Sequence, residues 1–215
     1  MAVEELRVGG SVKLRGPIKL NIVEVSGSLR AEGDIEVNTL KTSGSASVDG
    51  NLKAGEIRVA GSLKVSGSMN ADELEISGSA KVGERIKAET VEISGSLKAG
   101  EVVARDIRVS GSLKAERIQG ETVVIEKKSK IRGLLVCCEV EVGRDAEVER
   151  IIANKAVVRR NAEVDYIEAR VVVVERGAVV DRLKYVEKAD IHRDAEVYDE
   201  EKIQDLSVKI DCSLI

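Results

Sequence analysis

Large aromatic side chains are almost absent from this chain: three Tyr, no Phe and no Trp in 215 residues. A rounded core draws on such rings for bulk, so their scarcity points to an interior too narrow to hold them. Histidine is nearly absent too; the one residue, His192, falls at a bend and reads as a solvated side chain. With a single His and no Cys-x-x-Cys, no metal-ligand spacing exists. No Gly-Lys-Ser/Thr follows any glycine pair, which excludes a nucleotide loop of the Walker type. Neither cofactor nor metal is expected, and the chain reads as no enzyme.

No apolar run reaches membrane-spanning length, and Met-Ala-Val-Glu-Glu-Leu-Arg at the N-terminus lacks an apolar signal segment. A cytoplasmic protein is expected. Net charge is −4 with 33% charged residues, which argues against a bulk nucleic-acid binder. The three cysteines fit a reducing compartment. By the pattern below, Cys137 and Cys212 point inward and Cys138 outward, and all three are expected to be passive.

Regularity is what the chain does have. Gly10-Ser11, Gly27-Ser28, Gly44-Ser45, Gly61-Ser62, Gly78-Ser79 and Gly95-Ser96 recur every 17 residues, and Gly111-Ser112 follows after 16. The apolar position two before each Gly (Thr in one turn) continues past the last pair: Val8, Val25, Thr42, Val59, Ile76, Ile93, Val109, Ile125, Val142, Val158, Val174, Ile191 and Val208. Repeats this regular decide the architecture before any local argument does.

Within a unit the apolar residues fall in three pairs, each spaced by two, which is strand spacing. After Val59 they are Leu63 and Val65, Met69 and Ala71, Leu74 and Ile76. Short gaps rich in Gly, Ser, Asp and Asn supply bends, read here as residues that tolerate left-handed or tight backbone. The expected fold is all-β: a single-stranded parallel β-helix of triangular section, about 12 turns of 16–17 residues and three very short strands per turn. At the strand spacing of about 4.8 Å it would be on the order of 60 Å long. One solenoid over residues 1–215 is expected, with Gly-Ser corners over 1–120 and Arg-Asp/Asn/Gly corners over 121–215.

Three surfaces then carry the functional candidates. Outward positions stack into a basic stripe, Lys13, Arg30, Lys64, Lys81, Lys98, Lys114 and Lys130, that turns acidic at Glu147, Glu163 and Glu196. It would suit an anionic partner or membrane surface, or serve only as a solvated face. Val103, Val124, Val136, Ile152, Val157 and Val173 are apolar yet outward, a lateral contact if contiguous and scattered exposure otherwise. The ends lack any recognisable cap. Val3, Leu6, Val8 and Val12 at one end, and Leu206, Val208, Cys212, Leu214 and Ile215 at the other, would form an end-to-end interface.

The returning Val-Ser-Gly-Ser-Leu-Lys-Ala pattern at 25–31 (Arg30 for Lys), 93–99 and 109–115, with Gly16, Gly33, Gly50 and Gly67 in the second bend, resembles the bactofilins, the polymer-forming cytoskeletal proteins. The resemblance is clearest over residues 8–120 and implies a right-handed β-helix, self-assembled end to end into nucleotide-free scaffold filaments, often near membranes. The C-terminal half departs from it in corner style. A self-polymerising structural protein is therefore the leading expectation. A discrete binding module using its side faces is the alternative, and a β-solenoid transferase a more distant one.

Overall fold

The computed structural model describes residues 5–212, so Val3, Leu214 and Ile215 lie outside the described residues. Every regular element among them is a β-strand; there is no helix, hence none long and apolar enough to cross a membrane. Parallel strands stack as a β-solenoid of about 12 turns. The chain falls into two compact units, Met1–Val103 and Ala104–Ile215.

In the first unit a representative turn is β9 (Ser62–Val65), β10 (Met69–Asn70) and β11 (Glu73–Ile76), followed by β12 (Ser79–Val82) and β13 (Arg85–Ile93). The turns pair in parallel at the sequence period. Leu63 lies on Ala80, Val65 on Val82, Met69 on Ile86, Leu74 on Val91 and Ile76 on Ile93. Strand alternation puts every one of these inside and buries it. A one-residue slip would turn each strand inside out, so the 17-residue step is fixed by burial itself. One inward column reads Leu29, Ala46, Leu63, Ala80, Leu97 through successive turns. Large and small side chains alternate, which fills a narrow interior without rings.

Two details differ from the sequence expectation. First, the second and third strands of a turn often run together, as in β6 (Ile35–Thr42), β8 (Leu52–Val59) and β13. Their shared corner is a bend within a continuous ladder. Second, the Gly-Ser corners are not left-handed: positive φ among glycines occurs at Gly16, Gly33, Gly133 and Gly177, outside every Gly-Ser pair. These corners need glycine for space. A Cβ on Gly61 would fall on the backbone oxygens of Gly44 and Ser43 in the turn beneath.

The second unit replaces several short strands per turn with one long one: β16 (Ser112–Ile125), β17 (Lys130–Val142), β18 (Glu147–Val158), β19 (Glu163–Val174) and β20 (Val179–Ile191), followed by β21 (Glu196–Lys202). Each turn breaks once, at the Arg-Asp type corner. There Lys128, Asp145, Asn161 and Gly177 take φ of 60°, 57°, 55° and 71°. The N–H groups of Ser129, Ala146, Ala162 and Ala178 donate back to the carbonyls of Glu126, Gly143, Arg159 and Glu175. A left-handed third residue closing such a turn favours Asn, Asp and Gly, which is why the corner style changes with the strand style.

The solenoid ends at β21, one turn earlier than the apolar spacing suggests. Val208 is not an anchor and Cys212 is not an inward residue: residues 203–212 form no strand. They turn back along the side of the second unit, where Cys212 is disulfide-bonded to Cys138 of β17.

Candidate interaction surfaces

At the N-terminal end, β1 (Glu5–Val8), β2 (Ser11–Arg15) and β3 (Ile18–Lys19) pair on one side only, with β4 (Ile22–Val25), β5 (Ser28–Glu32) and β6. Their other edges carry unpaired ladder groups among the described residues. The inward side chains of this edge, Leu6, Val12, Leu14, Ile18 and Leu20, are half-buried, whereas the same columns one turn further in are buried at Val23, Leu29, Ala31, Ile35 and Val37. Val8 is already buried. This end is an apolar cross-section, as expected from Leu6 and Val12.

The C-terminal end differs. β21 pairs only with β20 and still offers half-buried Ala195 and Val197 at inward positions. Its second half does not. Glu200 and Lys202 occupy the register positions of Leu183 and Tyr185, and both are exposed. Charges at an open strand edge deter further pairing, so this end is apolar along its first strand segment and charged along its second. Glu196 lies in the column of Ser112 and Lys130 and so does not answer Lys13. Outward charges at the two ends are complementary in one column, with Lys19 at one end and Glu201 at the other. Within the chain the same column forms Lys184–Glu201 at 2.6 Å and Lys19–Glu36 at 3.3 Å.

The basic stripe proves uneven and shorter than the spacing suggests: Lys114 is followed by Arg132, and Lys130, Glu147, Glu163 and Glu196 lie in the neighbouring column of Ser112, because the corner before Lys130 is longer than the repeat allows. Lys13 bonds Glu32 at 2.6 Å, Arg30 bonds Asp49 at 3.0 Å and Lys130 bonds Glu147 at 2.7 Å. The hydrogen bond from Lys13 holds the Glu32 carboxyl below the usual range, and Lys130 does the same for Glu147. Lys64, Lys81 and Lys98 are exposed, stacked in register on successive turns, and have no ion pair among the described residues. Like charges directly opposed on neighbouring strands destabilise a sheet. Elsewhere the chain avoids this: Lys19, Glu36 and Lys53 alternate in sign and pair up the stack. Lys114 is also exposed.

The outward apolar residues separate into two columns. Val157 lies on Val173 in register, both half-buried, but Glu141 separates them from half-buried Val124 and Asp190 follows Val173. That column is no continuous patch. In the other column Val136, Ile152 and Glu168 stack on successive turns, and they are buried, only 4%, 5% and 2% exposed. Val103 is half-buried in β15 (Glu101–Val109). The expectation that Val136 and Ile152 lie open on the side is corrected: the C-terminal segment runs over their column.

That segment is held along its length. Ile203 N–H donates to the Tyr185 carbonyl at 2.8 Å, the last ladder-like bond. Asp205 pairs with Arg170 at 2.8 Å. The Ser207 N–H donates to Glu168 Oε1, and its hydroxyl donates to Glu168 Oε2 at 2.9 Å. The Tyr166 hydroxyl donates to the same Oε2 at 2.8 Å. Burial and this bond push the Tyr166 phenol up to about 12. The Asn154 amide donates to Cys212 Sγ at 3.3 Å beside the Cys138–Cys212 bond. Leu206, Val208 and Ile210 are half-buried while Asp205, Ser207, Lys209 and Asp211 are exposed, so a segment bent at 204–205 and 207–208 lays alternate residues on the solenoid. We call it the strap. Cys137 stays a buried free thiol, its ionisation suppressed by burial.

The pairing of Cys138 with Cys212 overturns the reading of three passive cysteines. A signal was present, since Cys138 stands beside an unexplained outward apolar column and Cys212 ends an alternating Leu206-Val208-Ile210 run. His192 is exposed at its corner as expected, with Nδ1 accepting from the Asp194 N–H at 3.1 Å. Among the described residues no group of three or more His, Cys, Asp or Glu is placed to hold a metal ion. Comparison with known protein families, with curated proteins and with solved structures finds no match to this chain.

Proposed function

We propose that the chain is a structural protein whose solenoids stack end to end, without nucleotide, into a cytoplasmic scaffold of the kind the bactofilin resemblance suggests. The observation that carries this reading is the N-terminal edge, where β1, β2 and β3 are paired on one side only among the described residues and Leu6, Val12, Leu14, Ile18 and Leu20 are half-buried. A parallel strand edge over an apolar cross-section is a template for another strand. The matching surface on a second copy is the first segment of β21, with Ala195 and Val197 inward. Further along β21, Lys19 would meet Glu201, as the internal pairs Lys19–Glu36 and Lys184–Glu201 of the same column do. Glu200 and Lys202 stand where an internal turn has Leu183 and Tyr185, so the junction is weaker than an internal turn and depends on salt.

Sedimentation velocity of the protein at low and high salt tests it. Self-association that falls with salt and is abolished by Leu14→Asp is the expected result. A single species at every concentration, or assembly indifferent to Leu14→Asp, contradicts it.

A second reading rests on Lys64, Lys81 and Lys98. Three stacked lysines without counter-charge form a strip that a linear or planar anion would neutralise, so this face would serve an anionic partner or membrane surface. Salt-sensitive binding to anionic vesicles, lost in a K64E/K81E/K98E variant, supports it; equal binding by that variant removes it.

A further inference from the structure

The strap shows what its groove recognises. The groove takes a non-helical segment with apolar residues at alternate positions, a serine over Glu168 and an acidic residue on Arg170. It ends at a cysteine nearly buried in its floor, Cys138, 9% exposed. The segment that meets every one of these terms is residues 205–212 of this chain. Nothing in those terms requires it to come from the same copy. No strand ladder holds the strap beyond Ile203, so moving it breaks no sheet. Besides the disulfide, an exposed ion pair and the hydrogen bonds to Glu168 and from Asn154 hold it. The exposed ion pair contributes little, and the disulfide is the one covalent tie among these contacts.

We propose that the column Val136–Ile152–Glu168 is a docking groove for residues 205–212 of a second copy, opened by reduction of the Cys138–Cys212 disulfide, and that strap exchange joins copies side by side. The contact is lateral and independent of the end-to-end reading. The two sulfurs differ in access: Cys212 is exposed and Cys138 is nearly buried. A dithiol reductant attacks Cys212 Sγ through one thiolate, and Cys138 leaves as thiolate and takes up a proton. The second thiol of the reductant then attacks its own sulfur in the mixed disulfide. Cys212 is released as a thiol and the reductant leaves as a disulfide, two electrons having passed to the protein. With the loop of sequence separation 74 no longer closed, the strap is free to exchange. Exchange is reciprocal, each strap filling the other copy's groove, so the product is a closed two-fold pair with no groove left empty. Reoxidation by a small disulfide runs the same two steps backwards and locks the pair. In a reducing compartment a disulfide with one exposed sulfur is characteristically transient, which matches a bond that is made and unmade.

Two full-length variants test this. Cys138→Ser keeps only the strap cysteine of the pair, and Cys212→Ser keeps only the groove cysteine. Neither can close the bond within one chain. They are mixed and oxidised with glutathione disulfide, from about 10 µM to about 1 mM, the range of effective concentrations that short linkers reach. The expected result is a covalent heterodimer linked Cys138–Cys212, identified by peptide mass spectrometry, rising with concentration. It falls at least tenfold when Val208→Lys is added to the Cys138→Ser chain. Circular dichroism of each variant checks that the solenoid is intact, which is expected because both sites lie outside the interior. The proposal is overturned if the mixture gives no more heterodimer than the Val208→Lys control. It is equally overturned if the link runs through Cys137 or through two copies of Cys212.

Discussion

The alternation Leu29, Ala46, Leu63, Ala80, Leu97 makes a quantitative demand on stability. Leu63 is 1% exposed and sits between Ala46 and Ala80. In Leu63→Ala three successive alanines leave a void that neither neighbour can fill, and the loss is about 3–5 kcal/mol, the upper range for Leu→Ala in a rigid core. Ala80→Leu alone puts three leucines in succession and overpacks the column by about 1–3 kcal/mol. The double variant moves the large residue one turn along. The leucine introduced at position 80 then lies beside the space vacated at position 63, and its overpacking is relieved on that side. The double variant is therefore expected to be more stable than the sum of the singles predicts, by at least about 1 kcal/mol, within the range found for residues in contact. Equilibrium urea unfolding of the four proteins, with the slope checked for constancy, measures the coupling. Additivity within about 0.5 kcal/mol would refute the claim that this column is packed as a large–small alternation.

Further expectations follow from single sites. Thr42 is 1% exposed between Val25 and Val59, and its hydroxyl has no hydrogen-bond partner; Thr42→Val should raise unfolding stability by about 1 kcal/mol in the same assay, since it removes an unsatisfied buried group at constant shape. Gly61→Ala should lower stability by more than the usual helix or strand glycine effect of about 1 kcal/mol, because the added carbon meets backbone rather than a side chain; a melting temperature equal to wild type would show that the corner has room. The Tyr166 phenol is pushed up to about 12 from its ordinary value of 10.0. The folded state thus holds this proton more tightly than the unfolded one, so the stabilisation is intact below pH 10 and is lost as pH rises from about 10 to about 12. Ultraviolet difference titration should show a late-titrating tyrosine that Tyr166→Phe removes.

Much of the fold was legible because the solenoid repeats a local rule. Pairs of apolar residues two apart, returning every 16 or 17 positions, state which face is inside and which residues stack, and Leu63, Met69 and Ile76 are buried where that spacing puts them. The same rule misled at the C-terminus. Val208 and Cys212 fit the template, but spacing cannot tell an apolar residue that faces a core from one that faces the outside of an earlier turn. The information that decides it lies in two other places: Glu200 and Lys202 end the interior before the spacing does, and Val136 and Ile152 leave an outward column for a strap to cover. The glycine corners were legible as corners but not in their cause. A backbone contact from the turn beneath leaves no trace in sequence beyond the glycine itself. The apolar edge was legible on the N-terminal side, where Leu6 and Val12 are followed by turns of the same apolar composition.

The central claim is that the open N-terminal edge of one copy receives β21 of another. It is tested most directly by charge reversal across that junction, read by negative-stain electron microscopy of nucleotide-free protein. Wild type is expected to form filaments, Lys19→Glu and Glu201→Lys each to shorten or abolish them, and the double reversal to restore them. Single particles in the wild-type sample at high concentration, or a double variant no better than either single one, would contradict the account.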